Sequence, residues 1–93
     1  MNITWSAIAR AELAAITDYI ELASPQAALE FIPQIVSSVD ILIEHPEIGR
    51  SGRVNGTREL IVHKTYIVSY SVLDTNITIL SVRHTSRLWP QKF

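Results

Sequence analysis

Three runs rich in Val, Ile and Tyr, at Arg58–His63, Tyr66–Leu73 and Ile77–His84, are separated only by Lys64-Thr65 and Asp74-Thr75-Asn76. Connectors this short cannot carry the crossover of about a dozen residues that a parallel pair requires. The runs must therefore fold as successive antiparallel hairpins. A small sheet of this kind is stable only when a further layer covers its apolar face, so the rest of the chain has to supply that layer.

The first half meets this demand with helical periodicity. A short apolar run, Ile3–Trp5, precedes Ser6, a good N-cap. Ala9, Leu13, Ile16 and Ile20 then recur at helical spacing, predicting an amphipathic helix that ends near Ala23. Ser24-Pro25 reads as the N-cap and first position of a second helix, where proline's missing N–H costs nothing. The apolar side of that helix is Ala28, Phe31, Ile32, Ile35, Val39, Leu42 and Ile43, and His45-Pro46 should end it. Pro33 lies inside this pattern and predicts a kink. Residues 46–57, PEIGRSGRVNGT, are turn-formers and arginines without periodicity, hence a loop. The expected architecture is α+β: an N-terminal strand, a two-helix hairpin, then a three-stranded antiparallel β-meander (β-α-α-β-β-β). Both helices lie on one face of the sheet and the other face is free of them. The core should join Leu13, Ile16, Ile20, Phe31, Ile35 and Leu42 to Leu60, Val68, Val72, Leu80 and Val82.

At 93 residues the chain is expected to form one domain, 1–93. An apolar fraction of 47% with 18% charged residues is that of a folded protein. Neither a run of about 18 apolar residues nor a signal-type N-terminus is present, so no membrane association is expected. The absence of cysteine excludes disulfides and thiolate metal sites, in keeping with a cytoplasmic setting. The three histidines lack metal-site spacing, GRSGR lacks the GK[ST] ending of a phosphate loop, and no serine stands in a nucleophile elbow. No metal and no cofactor are expected.

The net charge of −1 conceals a division. Residues 1–49 carry one arginine against seven carboxylates, whereas residues 50–93 carry seven Lys and Arg against two. The second half thus suits an anionic partner, although helices also simply carry more glutamate than strands. Its basic residues cluster on strands and strand ends: Arg58 opens one strand, His63 and Lys64 end it, and Arg83, His84 and Arg87 finish the last. Such a set suits phosphodiester chemistry. Arginine holds phosphate bidentately, histidine exchanges protons near neutrality, and RNA supplies its own 2′-hydroxyl nucleophile, so no metal is needed. Singly, each has a structural reading too: Arg58 and Glu59 pairing with neighbours, Tyr66, Tyr70 and Trp89 packing in the core or at an edge. Alternation sends Arg83 and His84 to opposite faces; with His84 on the open face, Arg83 would meet the helix layer or the edge as an ion-pair partner.

The segments ITWSAIARAELAAITDYI, HPEIGRSGRVNGTRELIVHKTYIVSYSV and ITILSVRHTSRLWP together resemble the RelE/ParE superfamily of bacterial toxins. The GTREL motif, the YIVSY strand and the H-x-x-R-x-W-P tail are similar to its RelE/StbE, or plasmid-stabilisation, branch. The resemblance implies the toxin of a type II toxin–antitoxin system, neutralised by a cognate antitoxin. It leaves two targets: ribosome-bound mRNA, cut by a metal-independent endoribonuclease, or DNA gyrase, inhibited without nuclease activity. The first is the primary expectation. By position it implies Arg58, Lys64, His84 and Arg87 as the catalytic set and Arg50, Arg53 and His63 as RNA- or phosphate-binding residues. The lysine-rich segment and the C-terminal tyrosine of the best-known ribonucleases of the superfamily are absent.

Overall fold

The computed structural model describes residues 1–85. Strand β1 (Asn2–Trp5) leads into helix α1 (Ala7–Ala23) and helix α2 (Pro25–Val39), and a 3-10 turn at Asp40–Ile43 follows. Strands β2 (Arg50–Ser51), β3 (Arg58–Val62), β4 (Tyr66–Leu73) and β5 (Asn76–His84) complete the chain order. The five strands form one sheet in the order β1-β5-β4-β3-β2.

Local chemistry sets the helix starts where the sequence places them. Ser6 Oγ accepts from the Ala9 N–H at 3.0 Å, and Ser24 Oγ accepts from the Ala27 N–H at 3.2 Å, with Pro25 at the first helical position. Helix α2 runs as one element through Pro33, which lies on its exposed side. It ends earlier than His45, tightening at Asp40 into the 3-10 turn that brings Leu42 into the core. By length and composition alone Pro25–Ile43 is long and apolar enough to cross a membrane, a property that the core helices of folded proteins share. In the fold it is an amphipathic core element: Ala28, Phe31, Ile35 and Val39 are buried, while Leu29, Ile32 and Val36 form a second apolar stripe turned outward.

The meander is antiparallel as the short connectors require. The sheet as a whole is mixed, because β1 pairs with β5 in parallel, with Ile3 opposite Ile77 and Trp5 opposite Ile79. The two helices are the long crossover that makes such a parallel pair available to β1. A further short strand, β2, forms inside the segment read as loop and pairs Arg50 with Glu59.

The core lies between the helices and one sheet face: Ala9, Leu13, Phe31, Ile35, Val39 and Leu42 against Val62, Val68, Tyr70, Ile77, Ile79 and Val82. Ile16, Ile20 and Leu60 pack at its margin. Val72, expected inside, is 38% exposed, and Tyr70, Ile77 and Ile79 take the central positions.

One irregularity governs which way the last strand presents its side chains. Ser69 pairs with Ser81 but Tyr70 pairs with Ile79, so Leu80 is an extra residue, a β-bulge. Before it the odd residues Ile77 and Ile79 face the helices; after it the even residues Val82 and His84 do. Strand β1 covers only Asn76–Ile79, so the second half of β5 has no strand neighbour beyond it among the described residues. Side chains cap that edge. Ser6 Oγ donates to the Leu80 carbonyl at 3.2 Å, and Glu12 Oε1 accepts from the Val82 N–H at 3.1 Å and the Ser81 hydroxyl at 2.8 Å. Glu12 Oε2 also meets Arg83 Nη2 at 3.3 Å, an ion pair at the edge; such a pair was expected of Arg83 with His84 on the open face, a condition the bulge removes.

Candidate functional site

The basic residues of the second half fall into two groups at opposite ends of the β3–β4 hairpin. At the β2 end, three side chains of the sheet clasp the segment that precedes it. Tyr70, fully buried, donates its hydroxyl to the Pro46 carbonyl at 2.8 Å and accepts from the Gly49 N–H at 2.9 Å. Burial pushes the Tyr70 hydroxyl pKa up; the Gly49 N–H and the nearby Arg58 charge pull it partly back. Gly49 is required by this approach: a Cβ there would lie 2.6 Å from the Tyr70 oxygen and 2.9 Å from the Glu59 carbonyl oxygen. Arg58, on the helix-side face opposite Tyr70, donates Nη1 to the Glu47 carbonyl at 3.2 Å and the Gly49 carbonyl at 2.8 Å. Glu59, buried on the other face, pairs with Arg50 (Nη2 at 3.1 Å, Nε at 3.2 Å) and accepts from the Arg53 N–H at 3.3 Å.

At the far end, His63 and Lys64 are exposed at the β3–β4 turn and both adopt left-handed backbone, with φ of 53° and 62°. For residues other than glycine this region is sparsely populated and costs about 1–2 kcal/mol. Thr85 N–H donates to the Thr65 carbonyl at 2.8 Å and holds the end of β5 beside that turn. His84 lies opposite Tyr66, its ring edge-on at a centroid distance of 5.5 Å, and Tyr66 in turn packs on Phe31 of α2 at 5.1 Å. Burial raises the Tyr66 hydroxyl pKa. His84 therefore belongs to the helix-side face and Arg83 to the other, because the Leu80 bulge reverses the alternation that would otherwise turn His84 outward.

These two ends are well separated. Arg58 pairs with Tyr70 and His84 with Tyr66, four residues apart along β4. At about 3.3 Å per residue and about 4.8 Å per strand, their backbones are displaced by roughly 13 Å along the sheet and 10 Å across it. The structure thus brings His63, Lys64 and His84 to one end and Arg50, Arg53 and Arg58 to the other. Arg87 lies outside the described residues. Among the described residues no group of His, Asp and Glu could hold a metal ion. Glu12, which organises the β5 edge, and the Tyr70 clasp were not singled out from sequence, because their partners lie 69–70 and 21–24 residues away along the chain.

Residues 3–89 match the family model described as ParE toxin of type II toxin-antitoxin system, parDE. A Sinorhizobium fredii protein named as a toxin, Y4kP, is 39% identical over 91 residues, covering 97% of this chain and 94% of its own length. Toxin RelE2 of Caulobacter vibrioides is 38% identical over 87 residues, 94% of this chain and 98% of that protein. Among solved structures, a chain of the chromosomal ParDE TA system from P. aeruginosa matches with a TM-score of 0.80 and 31% identity. That match covers 90% of this chain and 95% of the other.

Proposed function

The chain belongs to the ParE toxin family of type II toxin–antitoxin systems, and from that premise we propose that it arrests growth by binding DNA gyrase rather than by cutting mRNA. The observation that carries this reading is the separation of Arg50, Arg53 and Arg58 from His84, which shares its end of the sheet with His63 and Lys64 alone among the described basic residues assigned to the site. A phosphoryl transition state needs its cation and its proton carrier on one phosphate, within hydrogen-bond reach of about 3 Å. Arg58 is instead held by the Glu47 and Gly49 carbonyls, and Arg50 is neutralised by Glu59, while His84 packs on Tyr66 at the other end of the sheet. Likeness to a chain of a ParDE system supports the same direction. On this reading Arg58, Lys64, His84 and Arg87 are docking or structural groups, and the toxin works in the cytoplasm.

Its natural partner is a cognate antitoxin. The outward stripe of α2, with Leu29 at 75% exposure, is an apolar surface of the sort that an amphipathic antitoxin helix covers, and Leu22 of α1 is likewise exposed at 86%. Ribosome-dependent mRNA cleavage is the second reading, favoured by 38% identity to a protein named Toxin RelE2. One induction experiment decides between them. The chain is expressed without an antitoxin while transcript ends are mapped by primer extension and the DNA-damage response is followed. The proposal expects intact messages, DNA breaks and filamentation, with His84→Ala still toxic. Codon-phased cuts that vanish in His84→Ala would overturn it.

A further inference from the structure

Beside the clasp at the β2 end lies a cavity of about 290 Å³ lined by Ser51, Gly52, Asn55, Gly56, Thr57, Arg58 and Val72. Its walls are the β2–β3 hairpin, closed by the Gly52 N–H to the Thr57 carbonyl at 2.8 Å and by the Thr57 hydroxyl to the Val54 carbonyl at 2.6 Å. Gly56, with φ of 81°, turns the tip. Arg58 lines this cavity and is already fixed by its neighbours. Both of its hydrogen bonds leave from Nη1, and no partner is seen on Nε or Nη2 among the described residues. That edge of a guanidinium is a planar fork matched to two oxygens of one anion.

The geometry points to this cleft as a carboxylate-binding site for an acidic side chain of the cognate antitoxin. Three features select a peptide carboxylate over a nucleic-acid backbone. Arg58 is the one cation among the residues that line the cleft, and the neighbouring Arg50 is paired with Glu59, whereas a polyanion is held by a row of unneutralised cations. Ser51, Asn55 and Thr57 are neutral, so the site carries a single positive charge. Val72, 38% exposed, supplies an apolar wall beside the fork, suited to an aliphatic neighbour of the acidic residue. Because Nη1 is immobilised by two carbonyls, little rotamer freedom is lost when the anion is taken up. The assignment rests on the toxin–antitoxin reading only for the source of the peptide.

The test is an NMR titration of the uniformly ¹⁵N-labelled full chain, observing the arginine Nε–H signals. The probes are a blocked peptide of alternating Leu and Glu and, in parallel, hexauridylate. The peptide should shift the Arg58 signal saturably. Arg58→Gln should abolish binding, but it also loosens the clasp. Asn55→Asp, which places a competing carboxylate at the rim and touches no clasp contact, should weaken the peptide about tenfold with an unchanged melting midpoint. An Arg58 signal indifferent to the peptide, equal affinity in Asn55→Asp, or a larger response to hexauridylate would each overturn the assignment. The induction experiment is independent of this one: messages cut in phase would defeat the gyrase reading and leave a saturable peptide site standing.

Discussion

Replacing Tyr70 with Phe would remove one oxygen from the buried side of the sheet and leave the ring in place. In the native fold that oxygen serves two backbone groups: it receives the Gly49 N–H at 2.9 Å and donates to the Pro46 carbonyl at 2.8 Å. Gly49 is itself buried, and its N–H would be left without a partner. An orphaned buried donor costs about 1–3 kcal/mol, and the lost bond to Pro46 adds about 0.5–1.5 kcal/mol. We therefore expect about 2–3 kcal/mol of destabilisation. For a chain of 93 residues each kcal/mol corresponds to about 4–8 °C, so the calorimetric Tm should fall by roughly 8–24 °C. Arg58 donates to the Glu47 and Gly49 carbonyls in the same segment, so its contribution depends on Tyr70 holding that segment in place. The double-mutant cycle of Tyr70→Phe with Arg58→Ala should accordingly show a coupling of about 0.5–3 kcal/mol, the double mutant losing less than the sum of the singles. A Tm drop below about 4 °C, or strict additivity, would mean that the 46–53 segment is not held by this clasp and would refute the reasoning.

Three further outcomes follow from the same contacts. Ile35 has no exposed surface at the centre of the core, so Ile35→Ala should cost about 2–5 kcal/mol in urea denaturation. Glu12→Ala leaves the Val82 N–H, the Ser81 hydroxyl and Arg83 without their shared acceptor, and should cost about 1.5–3 kcal/mol. Arg83→Ala added to that variant should cost little more, since its ion pair is already gone. Tyr66 and Tyr70 both have pKa values raised above 10.0 by burial. The folded state then keeps protons that the unfolded state releases, so their contribution is complete below pH 10 and is lost as pH rises through the folded values. The urea midpoint should decline on that alkaline side, and Tyr70→Phe should shrink the decline.

Whatever is decided by neighbours in the chain could be read from the sequence. Ser6 and Ser24-Pro25 fix the helix starts because a cap bonds only three residues ahead. Lys64-Thr65 and Asp74-Thr75-Asn76 fix antiparallel pairing because nothing longer is available to reverse direction in any other way. The types of residue in the candidate site were equally visible: arginines before and within the meander, histidines at its far end. Their directions were not. Plain alternation from Ile77 and Ile79 turns Arg83 inward and His84 outward, and a single extra residue at Leu80 reverses both. No local signal marks that bulge; it follows from pairing with β4 and from the way Glu12, some 70 residues earlier, caps the Val82 N–H. Likewise GRSGR and GTREL reveal three arginines and a glutamate, but not that Glu59 takes Arg50 while Arg58 turns to the Glu47 and Gly49 carbonyls. The sequence by itself determined the elements, the caps and the meander, whose causes act over a few residues. Only the tertiary structure decided the parallel partner of β1, the facing of β5 and the commitment of each arginine, because a hydrogen bond or an ion pair across the sheet depends on register, and register is set by the whole packed molecule.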